Sequence, residues 1–178
     1  MRKALFLAVV LCLAMVATAQ AAADKLGVFN SRAVAERSEP FSAAQKKLEA
    51  QYAPEKKRLD EQMKRVTAQA EELQSKRATL TREAFAERSE AFMRAKRNVE
   101  DGIQTFSRKF EAAAMRIERE FAVRLSQAVQ DYGKRSGYRM LLDTTMVPYY
   151  DRAIEVTEDI IKEVARVYRE GKPIPGNQ

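Results

Sequence analysis

Between residues 41 and 132 the chain runs for 92 residues with one glycine, Gly102, and one proline, Pro54. A stretch so poor in chain breakers, with apolar residues at helical spacing, can fold only as long helix. Leu59, Met63, Val66, Ala70, Leu73 and Leu80 step by 4, 3, 4, 3 and 7, with polar Arg77 at the skipped position. That is a heptad seam. A second seam runs through Phe85, Phe92, Ala95, Val99, Ile103, Phe106, Phe110, Ala113, Ile117, Phe121, Leu125, Ala128 and Tyr132. Counting a polar step at Arg88, its mean spacing is about 3.6, close to a straight helix.

One helix of this length would reach about 138 Å, at 1.5 Å per residue. Each seam needs a partner, so the spacing predicts a fold-back. The break is placed at 76–81, where Thr79 and Thr81 suit an N-cap and Glu83 follows in the first turn. The outgoing arm then has about 37 residues and the paired part stands ~55 Å tall.

The ends read differently. Residues 25–29 alternate, with Leu26 and Val28 on one side, and predict a short strand. Asn30 and Ser31 are helix caps for two turns over 31–38, before Pro40 interrupts. Beyond Gly133 and Gly137, residues 138–142 predict a strand, 143–145 a turn, and 146–150 a second strand that Pro148 confines to an edge or bulge. Apolar positions at 154, 157, 160, 161, 164, 165 and 168 predict an amphipathic helix over 154–169, stopped by Gly171. The fold class is therefore α+β, mainly α: a small β body with a long antiparallel α-helical coiled-coil hairpin and a C-terminal helix.

Before the body lies a different kind of segment. Met1, Arg2 and Lys3 make a cationic start, 4–17 is apolar, and small residues follow. This is the layout of a secretory signal peptide, cleaved after Ala21 or Ala23, and the apolar run is short of the ~20 residues of a membrane span. Leu11 before Cys12 does not suit lipidation. Cys12 is the chain's one cysteine, so the mature chain would hold none, with 30 basic against 25 acidic residues. The boundaries follow as 1–23 signal peptide, 24–40 and 137–170 body, 41–136 arm, and 171–178 tail.

Composition narrows the chemistry. The chain has no histidine, and one cysteine cannot build a zinc knot or an internal disulfide. A Ser-His-Asp or Cys-His nucleophile system is excluded. The acid pairs Asp60-Glu61, Glu71-Glu72 and Glu158-Asp159 read as solvated helix residues rather than general acid/base pairs. The chain reads as a non-enzyme without cofactors or metals, and no nucleic-acid motif is present.

The end motifs, in order, resemble the Skp/OmpH family of periplasmic chaperones. ADKLGVFN at 23–30 is similar to the family's opening strand and SRAVAE at 31–36 to the short helix after it. AAQKKLEA at 43–50 is typical of the first long arm. YRMLLD at 138–143, VPYY at 147–150 and VTEDIIK at 156–162 follow the family's closing strand, strand and helix. The resemblance covers the mature chain. It implies a soluble periplasmic homotrimer whose bodies form a β-barrel-like hub, with three arms around a cavity. It also implies an ATP-independent holdase that keeps unfolded outer-membrane proteins from aggregating there. The alternative is a structural envelope coiled coil, a spacer or adaptor binding one folded partner.

Two or three short strands per chain cannot stand alone, so self-association is expected on physical grounds. Leu26, Val28, Met140, Leu141 and Leu142 are the candidate oligomer-body residues. The aromatic stripe reads first as seam, with Phe85 and Phe92, nearest the tip, as candidate client contacts. Residues 56–97 hold 12 basic and 7 acidic residues, a local +5. Within them Lys56, Lys57 and Arg58, and then Arg94, Lys96 and Arg97, are the densest clusters. They are solvated helix or a basic surface for acidic client segments or anionic lipid. Gly102 reads as a flexible point in the return arm or a simply tolerated glycine.

Overall fold

The computed structural model describes residues 25–171, in the order β1 (Leu26–Phe29), α1 (Ser31–Arg37), α2 (Glu39–Lys76), α3 (Arg82–Ser136), β2 (Met140–Asp143) and α4 (Thr157–Glu170). The expected signal peptide and the tail beyond Gly171 lie outside the described residues. The architecture is mainly helical with a small sheet at one end. β1 and β2 pair in parallel with Leu26 opposite Met140 and Phe29 opposite Asp143. A parallel pair needs a crossover connection, and here that crossover is the whole helical hairpin.

Local chemistry sets the element ends. Asn30 Oδ1 accepts the Ala33 N–H at 2.9 Å and opens α1. α1 and α2 are separated by Ser38 alone. Pro40 does not interrupt: it sits in the first turn of α2, where no intrahelical N–H bond is lost. Pro54 lies inside α2 without ending it. The carbonyl it leaves unbonded, on Ala50, is at an exposed position where water can take it. At the tip the Thr79 and Leu80 N–H groups both donate to the Lys76 carbonyl, at 3.0 and 3.1 Å. Thr81 Oγ1 then accepts from the Ala84 N–H at 3.2 Å and starts α3. At the other end Gly137 takes φ 71°, and the Tyr138 N–H closes back on the Gly133 carbonyl at 2.9 Å.

The core lies in the body. Val34, Ala128, Ile160, Val164 and Val167 are fully buried, joined by Phe29 from the strand, Phe121 from the base of α3 and Val156 just before α4. Each of the Val, Ile and Phe side chains contributes about 1.5–3 kcal/mol by burial. Gly27 is required here: a Cβ on it would stand 2.7 Å from Leu141 Cδ2 and 2.8 Å from Tyr138 Cε1.

Besides Pro40, three sequence expectations are corrected. No strand forms over 146–150. Asp143 Oδ1 accepts the Thr145 N–H and folds Thr144–Met146 into a 3-10 turn, and Pro148 has no N–H for a ladder. The strand expected at 138–142 starts at Met140, because Tyr138 turns to stack on Tyr132 at 5.6 Å. The last helix begins at Thr157, not 154. Asp151 caps a separate 3-10 turn over Arg152–Ile154, and the buried face is 156, 157, 160, 163, 164 and 167. Ile154 is left exposed.

Candidate functional site

α2 and α3 pack antiparallel. Gly102 lies against Leu59, where a Cβ would meet Leu59 Cδ2 at 2.9 Å, so this glycine marks close approach of the two helices. Beyond the body, over residues 42–120 of the arm, only Leu48, Leu59, Val66 and Val99 are buried hydrophobics. Aromatic rings fill the lower seam. Phe41 packs on Phe121 with centroids 4.5 Å apart, and Tyr52 meets Phe106 and Phe110 edge-on at 5.9 and 5.5 Å. These rings hold the two helices together.

Phe85 and Phe92 are half-buried, higher on the arm. Phe92 lines an inter-helix groove of about 260 Å³ with Gln69, Glu72, Leu73, Arg88 and Ala91. Glu72 crosses the groove mouth, accepting from Lys76 at 2.7 Å and from Arg88 at 3.4 Å. The Lys76 ammonium, more than Arg88, holds its carboxyl below the usual range. The tip therefore offers an apolar floor with a charged rim.

The six cations are all exposed, and they do not form one patch. Because Leu59 sits opposite Gly102, the α2 cluster lies nearer the body and the α3 cluster nearer the tip. The offset is about 12 Å along the arm. Lys56, Lys57 and Arg58 are consecutive, so they splay over about 200° of the helix circumference. Arg58 reaches Glu55 at 3.8 Å, Arg94 reaches Glu90 at 3.4 Å and Lys96 reaches Glu100 at 3.7 Å. Exposed pairs of this kind are weak. What the arrangement supplies is a diffuse positive field along the arm, not a pocket.

The candidate body residues divide. Val28 is 2% exposed and Leu141 packs against the core, so both serve their own chain. Leu26, Met140 and Leu142 are 50%, 51% and 40% exposed. The far edge of β2 meets no strand among the described residues. Exposed apolar side chains beside an open strand edge form a surface suited to pairing.

An ionic strut between the base of α3 and α4 escaped the sequence reading. Glu163 is buried and accepts both guanidinium nitrogens of Arg135, at 3.0 and 2.6 Å, and the Arg166 Nε–H at 2.9 Å. Arg166 also reaches Asp131 at 3.1 Å. The Arg135 hydrogen bond, helped by Arg166 and opposed by burial, pulls the Glu163 carboxyl down to about 2. The acid pair Glu158-Asp159 is likewise structural. Glu158 holds Arg37 of α1, and Asp159 accepts the Tyr132 hydroxyl at 2.9 Å. Burial first, and Asp159 second, push the Tyr132 hydroxyl well above its usual range. The available signal was spacing: Glu163 precedes Arg166 by three residues and Glu170 follows Arg166 by four.

Comparison with known proteins points one way. The model of the family described as outer membrane protein (OmpH-like) matches residues 25–164. Among solved structures, a crystal structure of a candidate outer membrane chaperone (OmpH-like) from Caulobacter crescentus CB15 shares the fold. Its TM-score is 0.67 at 17% sequence identity, covering 82% of this chain and 86% of that one. None of the curated proteins matches the chain.

Proposed function

The chain belongs to the OmpH-like outer membrane protein family, and from that premise we propose that it is a periplasmic, ATP-independent holdase for unfolded outer-membrane proteins. The observation that carries the reading is the hairpin itself. Two helices of 38 and 55 residues leave the body with four well-buried hydrophobics along the arm and both outer faces open to solvent. A hairpin of that kind makes a fence rather than a pocket.

In this reading Leu26, Met140 and Leu142 pair bodies into a homotrimer, with Val28 and Leu141 backing them from the core. The three arms surround a cavity. The basic clusters Lys56, Lys57, Arg58, Arg94, Lys96 and Arg97 draw in acidic client segments by long-range attraction, and the same field suits contact with an anionic lipid surface. Phe85 and Phe92 supply apolar contact near the tip. Transmembrane β-strands alternate apolar and polar residues, and in water they expose an apolar face that aggregates. Many weak contacts within a fenced space can hold such a chain without an energy source.

The test joins two measurements on the purified chain from Asp24 onward. Native mass should give three copies, and the protein should slow the light-scattering rise of an unfolded outer-membrane β-barrel diluted from urea. A monomer at micromolar concentration, or unchanged aggregation at threefold excess of trimer, would sink the proposal. Selective capture of one folded envelope protein, without effect on aggregation, would instead favour the spacer reading.

A further inference from the structure

All five methionines among the described residues are solvent-exposed: Met63 at 39%, Met93 at 45%, Met115 at 53%, Met140 at 51% and Met146 at 82%. Methionine is an apolar residue that usually fills irregular core gaps. Here the core is Val, Ile, Phe and Ala, and the arm closes on Leu48, Leu59, Val66 and Val99. On the arms the exposed large hydrophobics are Met63, Met93, Ile103 and Met115, three of the four being methionine. Met93 and Met115 lie within about 40° of each other around α3. Residues 25–171 contain no cysteine, histidine or tryptophan. The thioethers are therefore the groups there that a two-electron oxidant attacks first.

We propose that Met63, Met93 and Met115 form a set of client contacts that oxidation to the sulfoxide switches off. The inference rests on the holdase reading and adds a modification site to it. In the reduced state the flexible, polarisable side chains fit many apolar client segments, as thioethers do at promiscuous binding surfaces. In the oxidation step a sulfur lone pair attacks one oxygen of a peroxide. The O–O bond breaks, an S–O bond forms and water leaves. The sulfur loses two electrons and the peroxide gains them. The new oxygen is a strong acceptor, and pressing it against an apolar client segment removes its water without a replacement. Holding by many weak contacts multiplies that loss over three positions. The fold should be spared, because each of the three residues is more than a third exposed. A methionine sulfoxide reductase reverses the change.

The test compares the wild-type chain with the triple variant Met63→Leu, Met93→Leu, Met115→Leu, both treated with hydrogen peroxide. Leucine keeps the apolar surface and is a good helix former. Both proteins retain Met140 and Met146, so only the arm set differs. Peptide mass should show one added oxygen at each of the three wild-type positions, with helicity and the number of copies in the assembly unchanged. Holding by the oxidised wild type should fall roughly fivefold, recover with the reductase, and stay intact in the leucine variant. A second variant, Met63→Gln, Met93→Gln, Met115→Gln, should hold poorly without any oxidant. Equal holding by reduced and fully oxidised wild type overturns the switch while leaving the holdase reading in place. An equal loss in the leucine variant also overturns it. If reduced wild type does not slow aggregation at all, the holdase reading falls and the switch falls with it.

Discussion

The body and the arm are made of the same kinds of residue and are stabilised in different ways. Around α4, five side chains are fully buried, and ion pairs cross from α1 and α3 to lock the helix in place. Along the arm beyond the body, over residues 42–120, α2 and α3 touch through one narrow seam whose best-buried side chain, Val99, is still 5% exposed. A body core loses contacts on every side when one residue is cut back, whereas an arm seam loses them on one side. Rigidity therefore belongs to the end that carries the strands, and compliance to the end that carries the open surface.

The sharpest way to break this comparison is to make matching cavities. Ile160→Ala should cost about 3 kcal/mol or more, because its pocket is closed. Val66→Ala should cost about 1 kcal/mol, because the arm can settle around the gap. Urea titration followed by far-ultraviolet circular dichroism, at one fixed protomer concentration, reads both. Equal costs would mean that the arm is as tightly held as the body. Hydrogen exchange tests the same gradient without mutation. Amides near Thr79 should exchange faster than those of residues 121–132, and uniform protection along both arms would refute the gradient.

The ionic strut gives the body a stronger pH dependence than the arm, where the depressed carboxyl of Glu72 is exposed. Glu163 has a carboxyl held at about 2 in the folded chain against 4.5 as the unperturbed value. A depressed carboxyl stabilises the fold above the unfolded value and loses that contribution as pH falls through the folded one. The window is therefore pH 4.5 down to about 2. Arg135 is half-exposed, which discounts the strut to roughly 1–2 kcal/mol. Glu163→Gln should lose that amount at pH 7 and show a flatter acid slope in thermal unfolding. An unchanged slope would place the acid sensitivity elsewhere.

Charge reversal on the arm should leave stability nearly untouched and change kinetics instead. Converting Lys56, Lys57, Arg58, Arg94, Lys96 and Arg97 to Glu should slow client capture several-fold at low salt and reduce its salt dependence, with the oligomer intact. One reversal alone should do little. If stopped-flow capture rates and their salt dependence survive all six changes while helicity is kept, these cations are solvated helix surface and holding rests on apolar contacts.

The arm was legible in the sequence because helical periodicity over 92 residues is redundant. The turn was legible because Thr79, Thr81 and Glu83 carry capping chemistry at the point where the helices end, Lys76 and Arg82. The closing segment was harder. Residues 146–150 were expected to form a strand, but a strand needs a neighbour, and Asp143 diverts the chain into a turn first. α4 was read one step out of phase because Glu163 looked like a solvent residue. Its burial depends on Arg135, which is 28 residues away and invisible to local periodicity. For the same reason the five body candidates could be picked by apolar character, but not sorted into inward Val28 and Leu141 and outward Leu26, Met140 and Leu142.

The smallest expected effect, at Gly102, is also the most discriminating, because the same substitution at Gly27 gives a different result. At Gly27 an added methyl would meet Leu141 and the Tyr138 ring, both held against the core. Gly27→Ala should therefore destabilise by about 1–3 kcal/mol through overpacking. At Gly102 the methyl would meet only the far end of Leu59, a flexible side chain on a helix that can shift outward. Against that contact stands a helix gain of about 1 kcal/mol for alanine over glycine. The two terms nearly cancel, so Gly102→Ala should change unfolding stability by no more than about 0.5 kcal/mol. A loss above about 2 kcal/mol at Gly102, read by the same urea titration, would show that the helices cannot move apart there. The arm would then be a rigid strut at that level rather than a compliant fence.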